Sequence, residues 1–135
     1  MSKGYAFRWD GWLEPRHIRE NRHTIFVFGD NMIRKGRGGL AKVRRKEPNT
    51  FGIATKMAPT SRPEDYFSED FLVGAVKMWN ADFQQLQGCI DKGLNVAFPE
   101  QPLGCGLARL PKKAPTLFST LIRMTEDFIE KNKKI

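Results

Sequence analysis

The segment TIFVFGDN at residues 24–31 begins as a near-continuous apolar run and ends in a glycine and two polar residues. Such a run is typical of a central strand that is covered on both faces of a sheet. A glycine at the end of a strand lets the backbone adopt positive φ and approach a ligand closely. We therefore predict a buried strand over residues 24–29 that leads into a binding loop.

A glycine-containing loop follows each of two such strands. The first loop contains GRGGL at residues 36–40, and the second is LGCGL at residues 103–107, after the apolar segment VAFP at 96–99. When a helix follows a loop of this kind, its free N–H groups point at a bound anion. Two such loops at the carboxyl edge of one sheet would form a cleft for a nucleotide diphosphate. The alternative is that the glycines only make tight turns.

Neither loop has one of the two common phosphate-binding fingerprints. The chain contains no G-x-x-x-x-G-K-[ST] motif, which argues against a P-loop ATPase. The spacing of Gly36, Gly38 and Gly39 is not G-x-G-x-x-G, and no acidic residue follows a second strand where a dinucleotide ribose would need one. A Rossmann dehydrogenase is therefore disfavoured as well.

Strand-like and helix-like segments alternate along the rest of the chain. The expected strands cover residues 51–55 and 94–98, a loop with two prolines covers residues 56–63, and the expected helices cover residues 39–45, about 68 to 88 or 93, and 111–131. This alternation predicts an α/β layered domain with a largely parallel sheet.

The length and composition indicate one soluble domain over residues 1–135. Hydrophobic residues make up 40% of the 135 residues, enough for one sizeable core. The chain lacks a long apolar run and an apolar N-terminal signal region, so we expect a cytoplasmic protein without a membrane partner. Neither Cys89 nor Cys105 belongs to a C-x-x-C pair, and both histidines lie far from them in sequence. We therefore expect no metal and no cofactor.

The formal net charge is +8, and many of the basic residues adjoin the first glycine loop. Positive charge beside an anion site favours a polyanionic ligand or the backbone of a nucleic acid. We therefore expect DNA to contact a basic patch formed by Arg37, Lys42, Arg44 and Arg45. The alternative is a solvated helix face.

The two loops together resemble those of macro domains. NMIRKGRGGL at residues 31–40 is similar to the family's N-x-x-L-x-G-G-G-G-V segment, and Phe98-Pro99 with LGCGL at 103–107 is similar to its second, diphosphate-contacting loop. The match covers roughly residues 24–118. It implies a three-layer sandwich with a mixed, largely parallel sheet, and ADP-ribose or a related nucleotide as the ligand. The residues that the resemblance assigns to ligand binding are Asp30, Asn31, Gly36, Gly38, Gly39, Leu40, Thr55, Pro99, Leu103, Gly104, Cys105, Gly106 and Leu107.

One branch of that superfamily removes ADP-ribose from proteins or from DNA, and the segment IATK at residues 53–56 resembles the end of its catalytic strand. There a lysine attacks or positions the distal ribose, so the resemblance implies that Lys56 is catalytic. An amine that desolvation or a cationic neighbour has freed of its proton is a usable nucleophile toward the anomeric carbon. The alternative is that Lys56 is a surface lysine that opens a loop.

Two positions depart from the family pattern. The protein-directed relatives carry an aspartate after the G-C-G-L motif, where this chain has Ala108. The related antitoxin macro domains, which strip ADP-ribose from thymine in DNA, rely on the lysine without that aspartate, so this departure favours a DNA substrate. The adenine-contacting aspartate of the family has two candidate counterparts here, Asp10 and Asp30. Cys105 fits better as a small residue in a tight loop than as a nucleophile.

Three interpretations of the sequence therefore stay open. The first is a monomeric ADP-ribosyl hydrolase that acts on DNA or protein through Lys56. The second is a binding module that sequesters ADP-ribose or an NAD-derived signal, and the third is a basic nucleic-acid-binding protein whose glycines only shape turns. A small basic domain of this kind would suit a phage or mobile element that counters a host NAD-based defence.

Overall fold

The computed structural model describes residues 2–35 and 47–135. The strands in this part of the chain are β1 (Ala6–Arg8), β2 (Thr24–Asn31), β3 (Thr50–Lys56) and β4 (Asn95–Phe98). The helices are α1 (Pro15–Glu20), α2 (Leu72–Asp91), α3 (Leu110–Lys113) and α4 (Pro115–Lys131), with two single 3-10 turns at Pro63–Asp65 and Glu69–Phe71. The helix expected over residues 39–45, the first glycine loop and the basic patch lie outside the described residues.

The four strands form one sheet in the order β1-β4-β2-β3, and all of their pairings are parallel. The alternation of strands and helices thus correctly predicts an α/β fold with a parallel sheet. We expected a mixed sheet; within the described residues the only antiparallel pairing is an isolated bridge between Lys56 and Tyr66. Because β4 and β2 lie in the centre, the loops that follow them leave the middle of the sheet.

Helices cover both faces of the sheet, and the side chains of each strand alternate between them. Val27 and Phe98 belong to the larger core, to which α2 contributes Trp79 and α4 contributes Leu121. Their neighbours on the opposite face form a smaller cluster of Phe26, Ala97, Leu13 and Ile18, the last from α1. The apolar run of residues 24–29 is continuous because both faces of β2 are covered.

The long amphipathic helix begins and ends close to the expected positions. A 3-10 turn, Glu69–Phe71, precedes α2, and the helix passes through Gly88 and ends before Gly93, whose φ is +94°. Trp79 is fully buried, and its indole N–H donates to the carbonyl of Ala54 at 2.9 Å. This bond satisfies the one polar atom of a large core side chain and fixes α2 against β3.

The C-terminal helix differs from the single helix predicted over residues 111–131. It is divided into α3 and α4 by Ala114, whose backbone has φ −150° and ψ 72°. The physical reason is Pro115, because a proline disfavours the α conformation of the residue before it. No helix of the described chain is long and apolar enough to cross a membrane.

Candidate functional site

The candidate site lies at the carboxyl edge of the sheet, where all four parallel strands end. The chain leaves β2 toward the neighbouring strand β3, whereas the chain after β4 runs into α3 and α4. In open parallel sheets, ligands bind where the connections of two adjacent central strands diverge in this way. The two glycine loops predicted from the sequence follow these two central strands.

Buried apolar residues anchor the second loop to the core. Leu103 and Leu110 are buried, and the Leu110 N–H donates to the carbonyl of Gly104 at 2.9 Å. Gly104 has φ +89°, and a Cβ added to it would lie 2.7 Å from Leu110 Cδ2. The tight turn therefore requires glycine at position 104 whether or not a ligand binds.

The tip of the same loop is exposed. Cys105, Gly106 and Leu107 face solvent, and a Cβ added to Gly106 would meet no atom within 4 Å. Within residues 2–35 and 47–135, no group accepts a hydrogen bond from the backbone N–H of Gly106, Leu107 or Ala108. Consecutive backbone N–H groups without acceptors are available to donate to an anion.

The polar residues at the end of β2 are occupied by local contacts. The Asn31 amide donates to the carbonyl of Lys35 at 2.6 Å, and its oxygen accepts from the N–H of Ile33 at 3.0 Å. Asp30 is buried, accepts a bond from the N–H of Asn31 at 2.7 Å and lies 3.5 Å from the Arg34 guanidinium. Both side chains therefore stabilise the turn at residues 31–35 that follows β2.

Lys56 ends β3 and is enclosed by the loop that it opens. Its side chain is 9% exposed, its Nζ donates to the carbonyl of Thr60, and the same Nζ lies 4.4 Å from the centroid of the Tyr66 ring. The preceding residue, Thr55, is buried and donates from its hydroxyl to the carbonyl of Asp30 at 3.4 Å. Lys56 is thus a partly enclosed amine and not a freely solvated surface lysine.

A cavity of about 260 Å³ opens at the β1 side of the edge. Trp9, Trp12 and Leu13 line it from the segment after β1, and Pro99 and Glu100 line it from the segment after β4. Trp12 is 75% exposed, and the N–H of Gly11 donates to the Glu100 carboxylate at 3.3 Å across the cavity. Pro99 is the one residue of this cavity that the sequence analysis assigned to ligand binding.

The structure brings some of the expected site residues together and leaves others apart. Lys56, Thr55, Asp30 and Asn31 lie on the adjacent strands β2 and β3, with Asn31 in register with Lys56. The residues of the second loop follow β4 on the other side of β2. The predicted ligand-binding residues Gly36, Gly38, Gly39 and Leu40 lie outside the described residues, as do Arg37, Lys42, Arg44 and Arg45 of the predicted basic patch.

Several residues at this edge were missed. The tryptophans of the cavity follow a three-residue strand that the periodicity did not indicate, and Tyr66 lies in a loop that carried no motif. Their aromatic character was the only signal in the sequence, and it does not distinguish a site residue from a core residue.

Comparison with known proteins adds a family and no function. No curated protein and no solved structure matches the chain. One family model matches residues 8–124, from the end of β1 into α4, and so includes every strand end described above. The chain therefore belongs to the family described as "Family of unknown function (DUF7831)".

Proposed function

We propose that this protein binds ADP-ribose and releases it from modified DNA or protein through Lys56, within a macro-domain-like three-layer sandwich. The observation that carries the proposal is the second loop, where the N–H groups of the exposed Gly106 and Leu107 and of the buried Ala108 have no acceptor in the described chain. A diphosphate needs several backbone donors at close range. This loop follows the central strand β4, between the tryptophan-lined cavity and the strand that ends in Lys56.

The cavity supports a role in holding the adenine ring. Pockets that enclose a whole drug-sized ligand measure roughly 300–1000 Å³, so a cavity of about 260 Å³ fits one part of a nucleotide. Trp9 and Trp12 offer aromatic surface for a planar base. Of the two candidate adenine contacts, Asp10 is exposed between two cavity residues, whereas Asp30 is buried against Arg34. We therefore assign the adenine contact to Asp10.

Lys56 supplies the proposed chemistry. Attack by the Nζ lone pair on the anomeric carbon of the distal ribose would form a C–N bond, while the bond to thymine or to a protein carboxylate breaks with its electron pair. Water would then displace the lysine and release ADP-ribose. The amine now donates to the carbonyl of Thr60, so catalysis requires it to exchange this partner for the substrate and to lose a proton.

A second candidate function is binding without catalysis. It is favoured by the contacts of Lys56, whose amine is already held by Thr60 and the Tyr66 ring. It is also favoured by Ala108, a buried residue that offers no carboxylate at the position where the protein-directed relatives have one. In this case the loop and the cavity would sequester ADP-ribose or a related nucleotide.

Isothermal titration with ADP-ribose tests the binding that both candidates share. We expect the wild type to bind, and Gly106→Glu to weaken binding at least tenfold, because it adds bulk and negative charge where the diphosphate would lie. Gly104→Glu is unsuitable, since its Cβ would clash with Leu110. Gly88→Glu is the matched control: it adds the same side chain on α2, where a Cβ also meets no atom within 4 Å.

The outcomes of this titration separate the interpretations. No binding to the wild type at millimolar ADP-ribose would contradict both candidates and leave nucleic-acid binding. Equal affinity of the wild type and Gly106→Glu would contradict the assignment of the second loop.

A further inference from the structure

Two lysine amines approach the same tyrosine ring at the β3 end of the carboxyl edge. Lys56 Nζ lies 4.4 Å from the centroid of the Tyr66 ring, and Lys113 Nζ lies 4.9 Å from the same centroid. The distance between the two Nζ atoms is therefore at most the sum of these two distances. Lys56 is partly enclosed at the end of β3, whereas Lys113 is exposed at the end of α3, the short helix that follows the second loop.

Neither amine is neutralised by the rest of the described chain. No carboxylate of residues 2–35 or 47–135 forms an ion pair with Lys56 or Lys113. The buried carboxylate of Asp65, in the loop between Lys56 and Tyr66, is occupied by the Thr60 hydroxyl and by Arg62 Nε, the latter at 3.5 Å. Two positive charges held close together without a counter-charge repel each other, and a bound anion would relieve that repulsion.

We propose that Lys56, Tyr66 and Lys113 form a phosphate-binding site, in which Lys113 adds a second cation beside the lysine of the proposed function. The Tyr66 ring holds both amines near one point through cation–π contacts, so less side-chain freedom is lost when the anion arrives. A phosphate has enough oxygen acceptors for both lysines, and lysine binds it as a point charge. The site rests on the proposed function only for the source of the phosphate: the diphosphate of ADP-ribose, or a phosphodiester of the modified strand.

Pyrophosphate is the first probe, because it tests the site without requiring the rest of the nucleotide. We expect the full chain to bind it in isothermal titration, and Lys113→Gln to bind it about tenfold more weakly, the effect of losing one charged hydrogen-bond donor. Lys112→Gln is the matched control, since it removes the same charge from the same short helix without a contact to Tyr66. Equal affinities in the wild type and Lys113→Gln, or equal losses in both variants, would overturn the proposal.

Two further titrations identify the source of the phosphate. Weaker binding of ADP-ribose by Lys113→Gln, with unchanged binding of an unmodified single-stranded oligonucleotide, would assign the site to the diphosphate. The reverse pattern would assign it to the backbone of the strand, and both patterns support the site.

A wild type that binds pyrophosphate through Lys113 but does not bind ADP-ribose would keep the phosphate site and contradict the proposed function. If the wild type binds ADP-ribose but not pyrophosphate, and Lys113→Gln binds ADP-ribose as tightly as the wild type, the proposed function is kept and the phosphate site is contradicted.

Discussion

The two ends of the carboxyl edge differ in chemistry although they belong to one sheet. At the β1 end, Trp9 and Trp12 line an apolar cavity. At the β3 end, Lys56 and Lys113 place two amines at the Tyr66 ring, and neither forms an ion pair with a carboxylate of residues 2–35 or 47–135. β1 and β3 are the two edge strands of the sheet, and the cavity reaches from the segment after β1 to Phe26 and Val27 of β2. A ligand that uses both ends would combine an uncharged planar group with an anionic group, as in a nucleotide.

The cationic end is where we expect the largest effect. Lys56→Ala should lower the rate of ADP-ribose release from a modified thymidine oligonucleotide about 100-fold or more at saturating substrate, because a nucleophile acts mainly in the transition state. Free ADP-ribose should still bind, about tenfold more weakly if its diphosphate occupies the site that Lys56 shares with Lys113. Lys56→Arg is the matched control, since it keeps a cation near Tyr66 but cannot provide an unprotonated amine. Single-turnover assays measure the rate, and titration measures the binding.

These rates also decide between the two candidate functions. Full activity in Lys56→Arg would show that the positive charge matters and that the amine does not act as a nucleophile. If the wild type binds ADP-ribose and releases none from DNA or protein, the hydrolase proposal is wrong and the binding module stands. Ala108→Asp would then test whether a carboxylate at this position is the missing component.

The apolar end should show a smaller effect that depends on the base. Trp12 is 75% exposed, so its truncation removes little of the core. Stacking of one base on an aromatic side chain contributes about 1–3 kcal/mol, so Trp12→Ala should weaken ADP-ribose binding about tenfold. Trp12→Phe keeps a ring and should retain most of the affinity.

Ribose 5-phosphate, which has no base, sharpens the comparison of the two ends. Trp12→Ala should leave its affinity unchanged, whereas Lys113→Gln should weaken it if Lys113 binds a phosphate of the ligand. A loss of ribose 5-phosphate binding in Trp12→Ala would mean that the cavity does not select the base. Titration of both ligands into the same preparations makes this measurement.

The sequence allowed prediction of the buried parts of the fold more readily than of the site. The apolar runs at residues 24–29 and 94–98 predict β2 and β4, because both strands are covered on both faces. β1 has only three residues and α1 only six, too few for a period to be recognised. Pro115 carries the signal that divides the last helix, because a proline disfavours the α conformation of the residue before it, and the prediction of one helix over residues 111–131 did not take it into account.

The site was predictable only where it consists of local turns. Gly104 has the positive φ that a glycine after a strand permits, which is a property of the loop itself, and its assignment to ligand binding stays a prediction. The meeting of Lys56 and Lys113 at Tyr66 depends on contacts between residues far apart in sequence, which no local pattern encodes. The family resemblance suggested Lys56 but gave no indication of its contact with Thr60.

Asp82 on α2 offers a control for stability, separate from both ends. Its side chain is half-buried, and its Oδ2 atom has no hydrogen-bond partner in the described part of the chain. Burial raises the pKa of the Asp82 carboxyl above its ordinary value of 3.8, and the positive charge of Arg34 opposes this change. The folded protein therefore binds a proton at Asp82 more readily than the unfolded chain does.

The smallest expected effect follows from this carboxyl. Because the native state holds the proton more tightly, the contribution of Asp82 to stability falls as the pH rises above 3.8. Asp82→Ala should therefore raise the free energy of unfolding at neutral pH by about 1 kcal/mol, from the removed unpartnered oxygen and the better helix propensity of alanine. The part of this gain that comes from helix propensity does not depend on pH, whereas the part that comes from the unpartnered oxygen is lost as the carboxyl becomes protonated. The gain in the free energy of unfolding should therefore shrink toward pH 4, as measured by urea denaturation. A gain that is the same at both pH values would assign the whole effect to propensity, and a change in ADP-ribose affinity would mean that Asp82 is coupled to the site.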